Sequence, residues 1–209
     1  MSLNLKDIFD KNYLKGYFHR NKKIFLVSIL LFIILGSIGT LTNSDTMGIE
    51  FHKSLEGDMQ KNVDSESDYE TSLVGFLALF IHNFINDFSS IIGGLFLFIP
   101  TLYISFINAT NMITLFVKGD PLLILVAVMP HGIFEIPSGI FAMAGGLMLF
   151  ITEINVIKAI LTRNSVKEAI NDSDKLIKDA IISTIIVFIL LVIAAFIEIF
   201  ITPLLMNMV

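Results

Sequence analysis

Residues 24–41 form an unbroken apolar run without a charge. A helix needs about 20 residues to cross the hydrocarbon core at about 1.5 Å per residue, so this run predicts a membrane span. It reads as an uncleaved signal-anchor, because Thr42-Asn43-Ser44-Asp45 offers no convincing cleavage site. Residues 73–117 stay largely apolar for about twice the length of one span, which predicts two helices joined by a tight turn near Ser89-Ser90 or Gly93-Gly94. Residues 122–129 are apolar but too short to cross, and they stop at Pro130, the pattern of a re-entrant or surface half-helix. Spans are then expected at 131–151 and from Ala180 to about Pro203.

The pattern therefore predicts an all-α, polytopic membrane helical bundle of about five transmembrane helices with one broken or re-entrant segment. Before it, residues 1–23 carry Leu5, Ile8, Phe9, Tyr13, Tyr17 and Phe18 on one helical face opposite Lys11 and Lys15, as an amphipathic helix on the membrane surface would. Residues 24–203 make one transmembrane domain, followed by a short tail at 204–209. Ser165-Val166-Lys167-Glu168 has capping-box spacing and predicts a further short helix.

Charge orients the bundle. Lys6, Lys11, Lys15, Arg20, Lys22 and Lys23 outweigh Asp7 and Asp10 before the first span, and five bases lie between 152 and 179. Between 42 and 71, eight acids face two bases. The positive-inside rule then gives a cytoplasmic N-terminus, a cytoplasmic connector at 152–179, an acidic external loop at 42–71 and an external C-terminus, with Lys118 the lone base on the wrong side. Composition agrees, since 55% of the 209 residues are hydrophobic and the mean hydropathy is +0.80. No cysteine is present, which excludes disulfides, thiolate metal sites and a cysteine nucleophile. No phosphate-binding glycine loop or basic nucleic-acid patch stands out.

The informative residues are the polar ones inside the apolar runs. An ionisable side chain at the bilayer centre costs about 2.5–3.5 kcal/mol, so each needs a partner or a purpose. His82/Asn86 and Asn83/Asp87 are spaced four apart, which stacks each pair on one helical face; Asn108/Asn111 are three apart, and His131 sits one turn before Glu135. Glu198 lies in the last span. Counted from the external ends, His82, Asn108 and Glu198 reach the outer half of the membrane, and His131 and Glu135 join them if the half-helix before them dips inward; the candidate binding cluster is Asn83, Asp87, Asn108, His131, Glu135 and Glu198. Imidazole and carboxylates can hold a divalent metal such as zinc, with His131, Glu135 and Asp87 as the candidate ligands, although the two-histidine pattern of zinc proteases is missing. The plainer alternative is that these groups satisfy one another, with His131 bonding Glu135 or Asp87 and the asparagines bridging helices. Ser138, Ala142 and Gly146 recur every fourth residue and predict a close helix–helix contact.

Pro130-His131-Gly132-Ile133-Phe134-Glu135-Ile136-Pro137, the Gly145-Gly146 pair, and Ala194-Ala195-Phe196-Ile197-Glu198-Ile199-Phe200-Ile201-Thr202-Pro203 together resemble the stage II sporulation protein M family. The resemblance runs from about Ile24 to the C-terminus, and Asn83 and Asn108 fit it as well. It implies a five-span membrane protein with a cytoplasmic N-terminus, and its sporulation members anchor cell-wall hydrolases during engulfment of the forespore. The His131/Glu135 pair looks like the broad bacterial and archaeal branch rather than the sporulation proteins.

Three functions follow as expectations. The first is a scaffold or assembly factor in the cell membrane, docking membrane or envelope proteins on the acidic segment 45–70. The second is a small permease or ion- or proton-coupled transporter, for which so short a chain would act as a homodimer. The third is an intramembrane metal-dependent hydrolase with Glu135 as general base, for which only the ingredients are present. The balance favours a non-enzyme whose partners are the lipid bilayer and proteins, with no nucleic acid.

Overall fold

A computed structural model describes residues 8–42 and 73–207. The acidic segment expected outside, residues 1–7 with Leu5 of the N-terminal face, and the last two residues lie outside the described part. The described residues are helical, with no strand among them: α1 Lys11–Lys15, α2 Tyr17–Thr42, α3 Leu73–Ile92, α4 Ile99–Lys118, α5 Pro121–Leu161, α6 Val166–Asp172 and α7 Asp174–Met206. Five helical stretches are long and apolar enough to cross a membrane: 11–42, 73–95, 99–118, 121–161 and 174–206.

Side-chain pairing gives their relative directions. Arg20 and Tyr17 at the start of α2 bond Asp179 and Ser183 at the start of α7, and Thr40 near the end of α2 bonds Thr114 near the end of α4. Hence α2, α4 and α7 run together. Asn83, Asp87 and Gly94 meet Glu135, Ser138 and Gly146 in the same order, so α3 and α5 are parallel to each other and antiparallel to the rest. Among the described residues outside helix middles, Lys15, Arg20, Lys22, Lys23, Lys158, Arg163, Lys167, Lys175 and Lys178 gather at one end and Lys118 lies at the other. The positive-inside rule associates the basic end with the cytoplasm.

The basic end is built for close approach. A Cβ added to Gly94 would lie 2.0 Å from the Gly146 carbonyl oxygen, and one added to Gly146 would lie 2.8 Å from that of Ser90. Glycine there lets backbones touch without side chains between them, as in other small-residue membrane contacts. Ser138 and Ala142 continue the same face and are fully buried. The turn between α3 and α4 falls at Gly93–Leu95, the second of the two expected places. It leaves Leu97 and Phe98 with left-handed φ of 54° and 62°, sparsely populated for non-glycine residues. Glu153 from α5 holds this corner by accepting the Leu97 N–H at 2.9 Å.

At the same end Asp179, buried to 1% exposure, accepts from Arg20 Nε at 3.0 Å, Arg20 Nη2 at 2.5 Å and Asn21 Nδ2 at 2.7 Å. A carboxylate so far from water requires this saturation by charge-assisted donors. Arg20 also stacks on Tyr13, its guanidinium carbon 4.1 Å from the ring centroid.

Three element boundaries differ from the sequence pattern. The N-terminal face divides at Gly16, so that Ile8 and Tyr17 pack into the bundle while Phe9 and Phe18 stay exposed, and α2 starts well before the apolar run. Residues 152–161, expected in the cytoplasmic connector, continue α5. They stop only where Arg163 turns left-handed, with the Asn164 N–H bonding the Ala159 carbonyl at 2.8 Å. The last helix begins at Asp174 rather than Ala180. Hydropathy marks where helices leave hydrocarbon, whereas hydrogen bonding decides where they end. Ser165 does cap α6, accepting the Glu168 N–H.

The close contact is testable. Gly94→Val should lower the thermal stability of the purified protein by about 1–3 kcal/mol or more, the usual cost of overpacking. Gly132→Ala, whose new methyl would meet only Val128 at 3.8 Å, should be neutral or stabilising in the same melt.

Candidate binding cavity

Two helices are interrupted by π turns, and each interruption precedes a proline. Residues Ile124–Val128 form one within α5, where the Met129 N–H bonds the Ile124 carbonyl five residues back and Pro130 follows. Residues Ile197–Ile201 form the other within α7, where Thr202 bonds Ile197 and Pro203 follows. Proline has no N–H to donate. The Leu125 and Glu198 carbonyls therefore lack both the α-helical donor four residues on and the π-helical donor five residues on. The break expected at Pro130 thus takes the form of a widened turn inside a continuous helix. Such bulges recur at functional sites.

The two π turns flank a cavity of about 440 Å³ in the half of the bundle away from the basic end. Its walls include Asn83, Asn86 and Asp87 from α3, Asn108 and Asn111 from α4, His131 and Glu135 from α5, and Glu198 and Thr202 from α7. Phe32 of α2, with Leu115 and Leu191, supplies apolar wall. All six residues singled out by sequence for the polar cluster therefore line one space. His82, one turn from Asn86, is exposed and does not line it.

Their partners differ from simple expectation. Asn83 Nδ2 donates to Glu135 Oε1 at 2.8 Å, Ser138 Oγ to Asp87 Oδ2 at 2.6 Å, and Asn86 Nδ2 to Asn108 Oδ1 at 3.0 Å. The asparagines do bridge helices. His131, however, turns across to α7, where its Nε2 lies 3.9 Å from Glu198 Oε2, rather than to Glu135 or Asp87. An i, i+4 relation brings two side chains to one face but does not fix which neighbour they bond.

Two polar atoms in the wall have no hydrogen-bond partner, His131 Nδ1 and Thr202 Oγ1. Thr202 is only 6% exposed. Thr152, Thr162 and Thr184 each donate to the carbonyl four residues back, and Thr40, Thr101 and Thr114 bond across helices; Thr110 in α4 shares with Thr202 a buried hydroxyl without a partner, but it does not line the cavity. Thr202 makes no such bond at the π turn, and sequence reading did not single it out.

The proposed metal set is not assembled. Among the described residues no group of three His, Asp or Glu side chains is placed to hold a metal ion. Asp87 is engaged by Ser138, and His131 and Glu135 point to different partners, so the zinc expectation for His131, Glu135 and Asp87 is corrected.

The Asn83–Glu135 bond makes a double-substitution test. Asn83→Leu alone should cost about 1–3 kcal/mol in a thermal or denaturant melt, because it strips a buried acceptor of its donor. Adding Glu135→Leu should return most of that loss.

The sequence model of the family described as "Stage II sporulation protein M" matches residues 24–203, which covers all five candidate spans except the extreme N-terminal turns of the first and the last residues of the fifth. No curated protein and no solved structure gives a significant match. Matched over most of its length, this multi-pass helical membrane protein belongs to the stage II sporulation protein M family.

Proposed function

We propose that the protein binds a small polar solute inside the membrane and works as a small permease or ion- or proton-coupled transporter. One observation carries this reading: the cavity brings three carboxyl groups, an imidazole and four carboxamides together between four helices. Intramembrane acids are expensive to keep and mark solute and ion pathways. Paired interruptions in membrane helices near such a site are the usual means of exposing backbone groups to a solute. The cavity's volume falls in the range of about 300–1,000 Å³ used for small-molecule sites.

Family membership favours a second reading, a scaffold or assembly factor for membrane or envelope proteins. Docking at the surface makes no use of Glu135, Glu198 or the unpartnered Thr202. The two readings differ on whether water and solute reach the cavity.

The chain has no native cysteine, so one can be introduced without background. Asn111→Cys on the cavity wall should react with a charged, membrane-impermeant thiol reagent at least about tenfold faster than Ile85→Cys, a residue 58% exposed on the outer face of α3, because only a hydrated thiol ionises and reacts. Equal, negligible labelling of both in folded protein would contradict a solute site and leave the scaffold reading.

A further inference from the structure

The cavity wall is unbalanced in a way that selects its ligand. Among the described residues it contains Asp87, Glu135 and Glu198 but no lysine or arginine. Ser138 engages Asp87 and Asn83 engages one oxygen of Glu135, both with neutral donors. The basic group nearest Glu198 on this wall is His131, at 3.9 Å, too long for a hydrogen bond. Among the described residues that share the cavity wall with Glu198, α5 brings His131 and Glu135, α3 brings Asp87, α4 brings Asn108 and Asn111, and α2 brings the uncharged Phe32. A carboxylate in low dielectric needs a counter-charge, either a proton or a cation.

The other loose ends include acceptors. Thr202 Oγ1, more than nine-tenths buried on the cavity wall, has no partner and can accept a hydrogen bond. The carbonyl of Glu198, which lines the cavity, lacks its helical donors at the α7 π turn. An anion would meet repulsion here, and a neutral solute would leave the charge uncompensated.

Size narrows the class further. A water molecule occupies about 30 Å³, so a space of about 440 Å³ is far too large to grip a bare ion from all sides. Apolar walls from Phe32, Leu115 and Leu191 suit a short hydrocarbon body, and an aromatic residue on the wall is chemistry that attracts a positive head.

Resting on the reading of this cavity as a solute site, we infer that its ligand is a small organic cation, an ammonium head on a short apolar body, taken up in exchange for a proton. Entry of the cation lets one proton shared by the Glu135 and Glu198 carboxyls leave to water, so the charge in the cavity is unchanged. No bond other than that O–H is broken, and no redox partner is needed. A cation and a proton competing for the same carboxyls would couple their movements.

Choline and n-propylammonium are the probes, and 3,3-dimethylbutan-1-ol, the uncharged isostere of choline, is the control. With the full chain purified in detergent, either cation at about tenfold above its Kd should raise the unfolding midpoint by roughly 3–6 °C, and the alcohol should not. In weak buffer, binding should release close to one proton per cation. Glu198→Gln should weaken cation binding at least about tenfold and abolish the release. Glu135→Gln, which keeps an acceptor for Asn83, should do the same in a protein that still melts cooperatively. Equal stabilisation by the alcohol, or none by either cation, would overturn the cation assignment. If Asn111→Cys is labelled in that case, the solute site survives with another ligand class; if it is protected, both readings fall together.

Discussion

Lipid hydrocarbon offers nothing to a carboxyl or a carboxamide, and the bundle is organised around that constraint. Asn83, Asn86 and Asp87 leave α3 only one acceptable orientation about its axis, toward α4 and α5, where Asn108, Glu135 and Ser138 meet them. His131 and Glu198 impose the same condition on α5 against α7. Apolar matching alone cannot orient helices this way, because lipid tails satisfy a leucine as well as another helix does.

The two ends solve the packing problem in opposite ways. At the basic end, glycines at 94 and 146 bring backbone against backbone, and Asp179 is saturated by Arg20 and Asn21. Of the buried groups there, the Ser90 hydroxyl is the exception without a partner. At the other end the π turns widen α5 and α7 just before Pro130 and Pro203, and the helices stand apart around a cavity whose polar groups are only partly satisfied. A tightly packed end supporting a looser one with unsatisfied groups is the distribution a solute site needs, since its walls must keep bonding capacity in reserve.

Much of this was legible along the chain. Long apolar runs locate the five spans, the Gly93-Gly94 pair marks the corner, and helical spacing puts Asn83 with Asp87 and His131 with Glu135 on faces that do meet in the cavity. What hydropathy cannot show is hydrogen-bond pattern. Met129-Pro130 reads as an ending because proline denies a donor, yet the chain answers with a π turn and carries on, as it does again at Thr202-Pro203. Thr202 was invisible for the same reason, since a helical threonine ordinarily bonds its own helix. Partner choice was equally hidden: His131 lies one turn from Glu135 in sequence but closer to Glu198 across the bundle, a relation set by how α5 packs on α7.

The claim on which the rest stands is that the polar faces of separate helices converge on one interior space. Paired cysteines test it most directly, because a mercuric ion bridges two thiols only when both can reach it. In Asn86→Cys/Asn108→Cys, replacing side chains that lie 3.0 Å apart, mercuric ion should form an intramolecular bridge seen as a mass shift and a loss of both free thiols. Ile85→Cys/Asn108→Cys, with Ile85 on the lipid face, should remain unbridged. A bridge in the first pair alone is the predicted result; no bridge there, or equal bridging in both, would contradict the account.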